Sequence, residues 1–342
     1  MQPIYFAVGL SVLFALLFSF VRSRTSQSAD TIIGVRAVLD KIRAKQPGAK
    51  IVLCPIFPRG ATAQDPCRVR NDVVNREIRK FADGKAVSKL FAGRHHLAAS
   101  VHDLAFQLGD QRAADLPHGY AVVADCQTAG RGRLGRSFIS PSGSGIYISL
   151  LLRPNIPLER MHLMTVGAAI AACEAIQETA GFTPDIKWVN DVLMHGKKLC
   201  GILTEASIEA ETGQLSYVIV GIGLNVRTPT GGLAPEIADI AGCLEDFAPH
   251  AVRRNALAAS FFNHMESCCD LIAAGQTDAL IDRYRSFIHF LGQPITVIRF
   301  DKREPATAVG IDSNGHLIIE QNGQRSTLVA GEISIRLPEQ TR

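Results

Sequence analysis

The chain has 342 residues, 47% hydrophobic and 20% charged, which excludes a disordered chain and leaves room for two domains with a sizeable core. A net charge of +4 excludes a strong overall nucleic-acid field. Its eight cysteines form no C-x-x-C pair, so Cys268, its neighbour Cys269 and the rest read as buried or incidental thiols in a reducing compartment.

Ile4 to Val21 is an apolar run of 18 residues without a charge, followed by Arg22 and Arg24. This is at the short end for a membrane-spanning helix. The flanking arginines keep its C-terminal side in the cytoplasm. A secretory signal peptide carries a basic segment first, and none precedes this run. Residues 1–24 are therefore expected to form a membrane anchor, at the inner membrane, for a cytoplasmic catalytic part.

The next unit spans 25–87. Ile32, Ile33, Val35, Val38, Leu39 and Ile42 have helical spacing over Thr31 to Lys45. Ala49 to Ile56 reads as a buried strand, and Asn71 to Phe81 as a second helix. The text IVLCPIFPRG, then DPCRVRNDVVNREIRKFADGK, resembles part of an SGNH (GDSL-type) esterase of the platelet-activating-factor acetylhydrolase kind. That family needs a Gly-Asp-Ser nucleophile. Ser11, Ser19, Ser23, Ser26 and Ser28 have no Gly-Asp before them. Asp115 and His118 fit its closing Asp-x-x-His spacing, but a base without a nucleophile cannot transfer an acyl group. The segment is expected to be a truncated, inactive α/β fragment. No helix-turn-helix pattern is seen before residue 90, so no repressor arm and no nucleic-acid partner are expected.

From residue 88 the pattern changes. Helix is expected over Ala98 to Leu108, strand over Tyr120 to Ala124 and Gly145 to Leu152, and a long helix over Leu158 to Ala180. Strands follow at Ile186 to Trp188, Val192 to Met194, Leu199 to Glu205 and Leu215 to Val226, with His195-Gly196-Lys197 as a hairpin turn. Helices fill about 251–290. This order predicts an α+β domain over 88–290, a mixed, largely antiparallel sheet with helices on one face. Gly292 to Leu337 alternates as short strands with turns at Ser313-Asn314-Gly315 and Asn322-Gly323, a small β-barrel pattern over 291–338.

Three segments of this part carry chemistry. Gly130-Arg131-Gly132-Arg133-Leu134-Gly135-Arg136 alternates arginines with glycines. Glycine allows close backbone approach to a ligand, and arginine offers a planar charged fork for phosphate or carboxylate. Lys187-Trp188-Val189-Asn190-Asp191 runs on to Lys197-Lys198-Leu199-Cys200-Gly201-Ile202-Leu203-Thr204-Glu205. Val218 to Asn225 reads VIVGIGLN. In type and order these resemble the motifs of the biotin protein ligases, namely the arginine-glycine loop, the KWPND, K-x-GGIL-x-E and GIGINV strands. The resemblance runs from about residue 95 to the C-terminus. It includes the Gly331 to Ser334 ending of an SH3-like domain.

The resemblance implies a class II synthetase-like catalytic domain and a two-step reaction. Biotin and ATP give biotinyl-5′-AMP and pyrophosphate, then biotin passes to a lysine of a biotin carboxyl carrier domain of acetyl-CoA carboxylase. It implies catalytic roles for Lys198, Arg133 and Arg136. Biotin contacts fall to Ser100, Gln127, Gly130, Arg131, Gly132, Lys198 and Gly201. ATP contacts fall to Arg133, Arg136, Trp188, Asn190, Asp191 and Asn225. It brings Mg2+ with the ATP, without a metal-ligand set read from the sequence, and it allows a homodimer. Lys197 is expected on the opposite face of its strand, in solvent. Asp125, His162, His195 and His289 read as surface or loop residues without a role. Three departures stand out. The family's Ser-Thr-Asn motif is Ser100-Val101-His102, its KWPND proline is Val189, and the aromatic after the arginine loop is Phe138. The first removes a hydroxyl and an amide from the expected pocket. A lipoate or octanoyl transferase of the same fold, or a lipid esterase, are the alternatives.

Overall fold

A computed structural model describes residues 51–53, 87–89, 100–111, 116, 118–299, 302–329 and 333–336. The chain divides into two units, residues 1–96 with 255–263, and residues 97–254 with 264–342. In the first, strand β1 (Ile51–Leu53) pairs in parallel with β2 (Val87–Lys89). The pairing crosses the boundary expected at 87/88. The other expectations for 1–87, including the helices at Thr31 to Lys45 and Asn71 to Phe81, lie outside the described residues. Among the described residues no helix is long and apolar enough to cross a membrane. The membrane anchor is therefore withdrawn; Ile4 to Val21 itself lies outside the described residues.

The second unit holds a six-stranded sheet. Its strands are β3 (Tyr120–Ala124), β4 (Gly145–Leu152), β5 (Asp185–Lys187), β6 (Asp191–Met194), β7 (Lys197–Ile208) and β8 (Leu215–Asn225). They lie in the order β3-β4-β8-β7-β6-β5, and every neighbouring pair is antiparallel. The sheet is thus not mixed. Short connections such as His195-Gly196, with φ of 47° and 78°, suit a tight two-residue hairpin and favour antiparallel neighbours. All eight residues of β4 are buried, as in a strand enclosed on both faces.

Helices flank the sheet on both faces rather than one. Helix α1 (Val101–Gln111) begins one residue after Ser100, whose Oγ accepts the Asp103 N–H at 3.3 Å. That N-cap places the helix start beyond the Ala98 expected from periodicity. Helix α2 (His162–Ala180) follows a 3-10 turn at Leu158–Arg160 and ends at Gly181, φ 79°. Thr204 of β7 is hydrogen-bonded to Thr165 of α2 at 2.8 Å. The next residue, Glu205, accepts from His102 of α1 at 2.8 Å. Successive strand residues point to opposite faces, so α1 and α2 lie on opposite sides. Small residues (Ala168, Ala169, Ala171 and Ala172, all fully buried) line α2.

Helices α3 (Arg254–Ala273) and α4 (Thr277–Arg285) lead to a second antiparallel sheet. Its strands are β9 (Pro294–Arg299), β10 (Lys302–Ile311), β11 (Leu317–Gln321), β12 (Gln324–Leu328) and β13 (Ile333–Arg336), in the order β12-β11-β10-β9-β13. Asn322 and Gly323 take φ of 50° and 75°, the hairpin turn expected there. Within this second unit, the sheet is tied to the residues around the six-stranded sheet. The Trp188 indole N–H donates to the Gly315 carbonyl at 3.1 Å, and the Arg285 guanidinium donates to the Ile311 carbonyl at 2.8 Å. His162 and His316 stack with ring centroids 4.7 Å apart.

Candidate active site

A cavity opens on the α1 face of the six-stranded sheet. Its floor is glycine. A side chain at Gly201 would meet the Lys198 Cε at 3.0 Å, and one at Gly223 would run into the Phe138 ring. The wall is the arginine-glycine segment, folded as a small hairpin. Phe138 N–H donates to the Gly130 carbonyl at 2.8 Å, and Gly132 N–H to that of Arg136 at 2.7 Å. Leu134 and Gly135 turn at its tip with φ of 56° and 70°. Gly130 is required by this hairpin, since a Cβ there would lie 2.8 Å from Ser140 Oγ and 2.9 Å from Gln127 Nε2.

One end of the cavity is cationic. Lys198 Nζ lies 2.7 Å from Asp191 Oδ1. Arg133 donates to Asn190 Oδ1 at 2.9 Å, while the Asn190 amide donates to the Ile202 carbonyl at 2.9 Å. Burial lowers the Arg133 pKa, with Asp191 acting in the other direction. A bulge aims the lysine. Val192 and Leu193 of β6 are consecutive, yet their partners on β7 are Cys200 and Lys198. Leu199 is the extra residue, and it turns Lys198 to the same face as Gly201. Bulges re-aim side chains in this way beside active sites.

The other end is lined by His102, Ser149 and Gly221, with Arg131 above. Arg131 is held by Asp103 and Glu205, at 3.1 Å from the latter. In this structure its charge faces these two partly exposed carboxylates.

Among residues expected at the site, Gln127, Arg131, Gly132, Arg133, Asn190, Lys198 and Gly201 line one cavity, with Asp191 in contact through Lys198. Gln127 Oε1 accepts the Val101 N–H at 2.9 Å and its Nε2 donates to Ser140 at 2.8 Å. The others do not line it. Ser100 caps α1. Gly130 and Arg136 belong to the hairpin's own ladder. Asn225 donates to the Lys198 carbonyl at 3.4 Å. Trp188 is 4% exposed and turned to Gly315 in the turn between β10 and β11, and it does not line the cavity.

Lys197 is not simply solvated. Its ammonium donates to the carbonyls of Ala238 and Asp239 at 3.1 and 2.6 Å. His118 accepts the Arg153 N–H at 3.0 Å, a structural contact rather than an esterase base. Asp125 also has partners. It accepts from Ser142 at 2.6 Å and pairs with Arg254. The residues that sequence reasoning left unassigned are Glu205, Asp103 and Ser149. Glu205 ended the quoted β7 motif and could have been singled out there; Ser149 lay inside an apolar run.

The Biotin/lipoate A/B protein ligase family matches residues 99–225, and the Biotin protein ligase C terminal domain matches 290–336. The chain is 35% identical over 246 residues to the bifunctional ligase/repressor BirA of Bacillus subtilis, covering 70% of this chain and 73% of that protein. It is 28% identical to the biotin–[acetyl-CoA-carboxylase] ligase of Mycobacterium tuberculosis, covering 63% and 78%. The biotin protein ligase of Aquifex aeolicus, solved in complex with biotin and ATP, superposes with a TM-score of 0.59 at 27% identity, covering 70% and 95%. The esterase resemblance of residues 31–84 finds no support in the family matches, which start at residue 99. The chain belongs to the biotin protein ligase family.

Proposed function

We propose that this chain activates biotin with ATP and transfers it to a lysine of a biotin carboxyl carrier domain, of the acetyl-CoA carboxylase type. The observation that carries the reading is the cationic end of the cavity, where Lys198 and Arg133 sit over a floor without side chains at Gly201 and Gly223. In the first step a biotin carboxylate oxygen attacks the α-phosphorus of ATP. Pyrophosphate leaves and biotinyl-5′-AMP forms. In the second, the acceptor amine attacks the acyl carbon, loses a proton and expels AMP. Both steps crowd negative charge at one place, so fixed cations and positioning supply most of the catalysis.

Lys198 places its charge between the carboxylate and the α-phosphate, and Arg133 holds phosphate oxygens beside Asn190. Arg136 and Asn225, next to these groups in sequence or contact, are assigned to the nucleotide side. Mg2+ arriving with ATP fits Asp191. Among the described residues no group of three His, Cys, Asp or Glu side chains could hold a metal, and Mg2+ is commonly held by one or two carboxylates plus substrate phosphates. Bound there, it would supply charge neutralisation of the phosphates.

The SH3-like C-terminal domain, 291–338, completes the ligase. The test is incubation with labelled biotin, ATP and a carboxyl carrier domain. Label is expected on the acceptor lysine only when ATP is present, and lipoate in place of biotin is expected to give none. An unlabelled acceptor that another ligase can biotinylate overturns the reading.

A further inference from the structure

Lys198 lies on a stretch of β7 that β8 does not cover. The ladder between the two strands begins only at Cys200, whereas β6 pairs with both Lys197 and Lys198. The open edge is taken by a later segment. Lys198 N–H donates to the Ile240 carbonyl at 2.8 Å, and Gly242 N–H donates to the Lys198 carbonyl at 3.0 Å. Together they form a parallel bridge between Lys198 and Ala241. The main chain that carries the Lys198 ammonium is thus held from both sides.

Packing does little to keep that segment in place. No residue from 231 to 240 is buried, and Ile240 is 62% exposed. The segment closes a single turn, in which Ala238 N–H donates to the Ala234 carbonyl at 3.1 Å and Ala241 N–H to that of Ile237 at 2.8 Å. The carbonyls further on receive nothing from within the turn. Gly242 N–H has gone to Lys198, and Cys243 N–H to the Asp246 carboxylate. Carbonyls at the end of a turn of this kind need outside donors, and a cation there meets the negative end of the aligned peptides.

The two adjacent lysines of β7 supply those donors. Lys197 Nζ donates to the Ala238 and Asp239 carbonyls at 3.1 and 2.6 Å, and the Lys198 N–H takes the next one, Ile240. Gly242 lets the segment close on the lysine stem, since a Cβ there would lie 2.9 Å from Lys197 Cβ.

We infer that Lys197 is a positioning residue for the ligase reaction. Its ammonium caps the turn, seats the segment on the open edge of β7, and so fixes the backbone from which Lys198 reaches the cavity. This rests on the ligase reading above, in which the Lys198 charge acts on the carboxylate and the α-phosphate. One lysine of the pair serves the reacting atoms, and its neighbour holds the frame.

The experiment follows steady-state pyrophosphate release from biotin and ATP, and amide hydrogen exchange without ligands, on the full chain and three variants. Lys197→Met keeps the stem and loses every donor. It should lower kcat about tenfold and leave the KM for biotin within about twofold, since displacing a reacting group costs rate more than binding. Exchange at Lys198 and across 237–242 should quicken, while the ladder between β4 and β8 keeps the parent's rates. Lys197→Arg, still a charged multiple donor, should return kcat to within about threefold of the parent. Gly242→Ala keeps the charge of Lys197 but pushes the segment off its seat, and it should lower kcat and quicken exchange as Lys197→Met does. Parent-like kcat or parent-like exchange in Lys197→Met overturns the inference and leaves the ligase reading standing. So does a loss in Lys197→Met beside full kcat in Gly242→Ala, which would assign the effect to charge. A parent that releases no pyrophosphate removes the ligase reading and the inference with it. Should Lys197→Met fail to fold, Lys197→Gln, with a shorter uncharged amide, takes its place, and parent values for both readouts overturn the inference.

Discussion

The two faces of the six-stranded sheet are built on opposite rules. The α2 face is apolar and close-packed, with alanines against the strands and one polar pair, Thr165 with Thr204. The α1 face carries glycines against which Lys198, Phe138 and His102 pack, two buried side-chain atoms without a hydrogen-bond partner in the protein, and a polar chain from His102 through Glu205 to Arg131 and Asp103. Adjacent residues of one strand, Thr204 and Glu205, serve different faces. Strand alternation lets one sheet separate rigidity from chemistry at single-residue resolution. The α2 side stabilises; the α1 side tolerates unmatched polar groups that a ligand can match.

That division predicts which variants lose rate and which lose stability. The largest effect is expected for Lys198→Ala, which should lower adenylate formation by on the order of a thousandfold, about 4 kcal/mol, the scale of losing a group aimed at a transition state. Its thermal unfolding should match the parent. Near-normal pyrophosphate release would take Lys198 out of the mechanism. On the other face, Ile170→Ala removes a fully buried side chain of α2 and should cost about 3 kcal/mol in urea unfolding. Its pyrophosphate release rate per folded molecule should equal the parent's; a matching drop in rate would show that the faces are not independent.

Arg133→Ala should release about thirtyfold more biotinyl-5′-AMP into solution without acceptor, since charge-assisted hydrogen bonds contribute about 2 kcal/mol. Retention equal to the parent's would remove Arg133 from the nucleotide side. The smallest effect belongs to Thr204→Val, where losing the bond to Thr165 should cost about 1 kcal/mol of stability and leave biotin affinity unchanged. A shift in affinity would mean that the two faces communicate through β7.

Much of the frame was legible in the sequence because its signals are local. Tyr120–Ala124 and Gly145–Leu152 are apolar runs bounded by glycine or charge, and they are strands with those limits. His195-Gly196 and Asn322-Gly323 are turns for the reason their residue types imply. The arginine-glycine segment and the Lys198 strand, 67 residues apart in number from Arg131 to Lys198, do meet at one cavity. What was hidden is long-range. Glu205 finds its partners 103 and 74 residues away, and no spacing rule reaches that far. The bulge at Leu199 is invisible to simple alternation, which treats every strand residue as one step. Lys197 reads as solvated from its strand face alone, since its acceptors, two backbone carbonyls of a later loop, have no signature in side-chain type. Trp188 is buried as a core aromatic would be, but its acceptor, the Gly315 carbonyl, lies in a turn 127 residues away that its motif does not announce.

The contact between Trp188 and Gly315 also sets an order of events during synthesis. The two residues are 127 positions apart, so at a usual elongation rate of roughly 5–20 residues per second the indole is made about ten seconds before its acceptor exists. Over that interval the Asn190-Asp191 turn lacks the anchor that holds the strand entering it. A nascent chain stalled before residue 315 has every cationic residue of the cavity and no finished support beneath them, which ties the ligase's maturation to completion of its last domain.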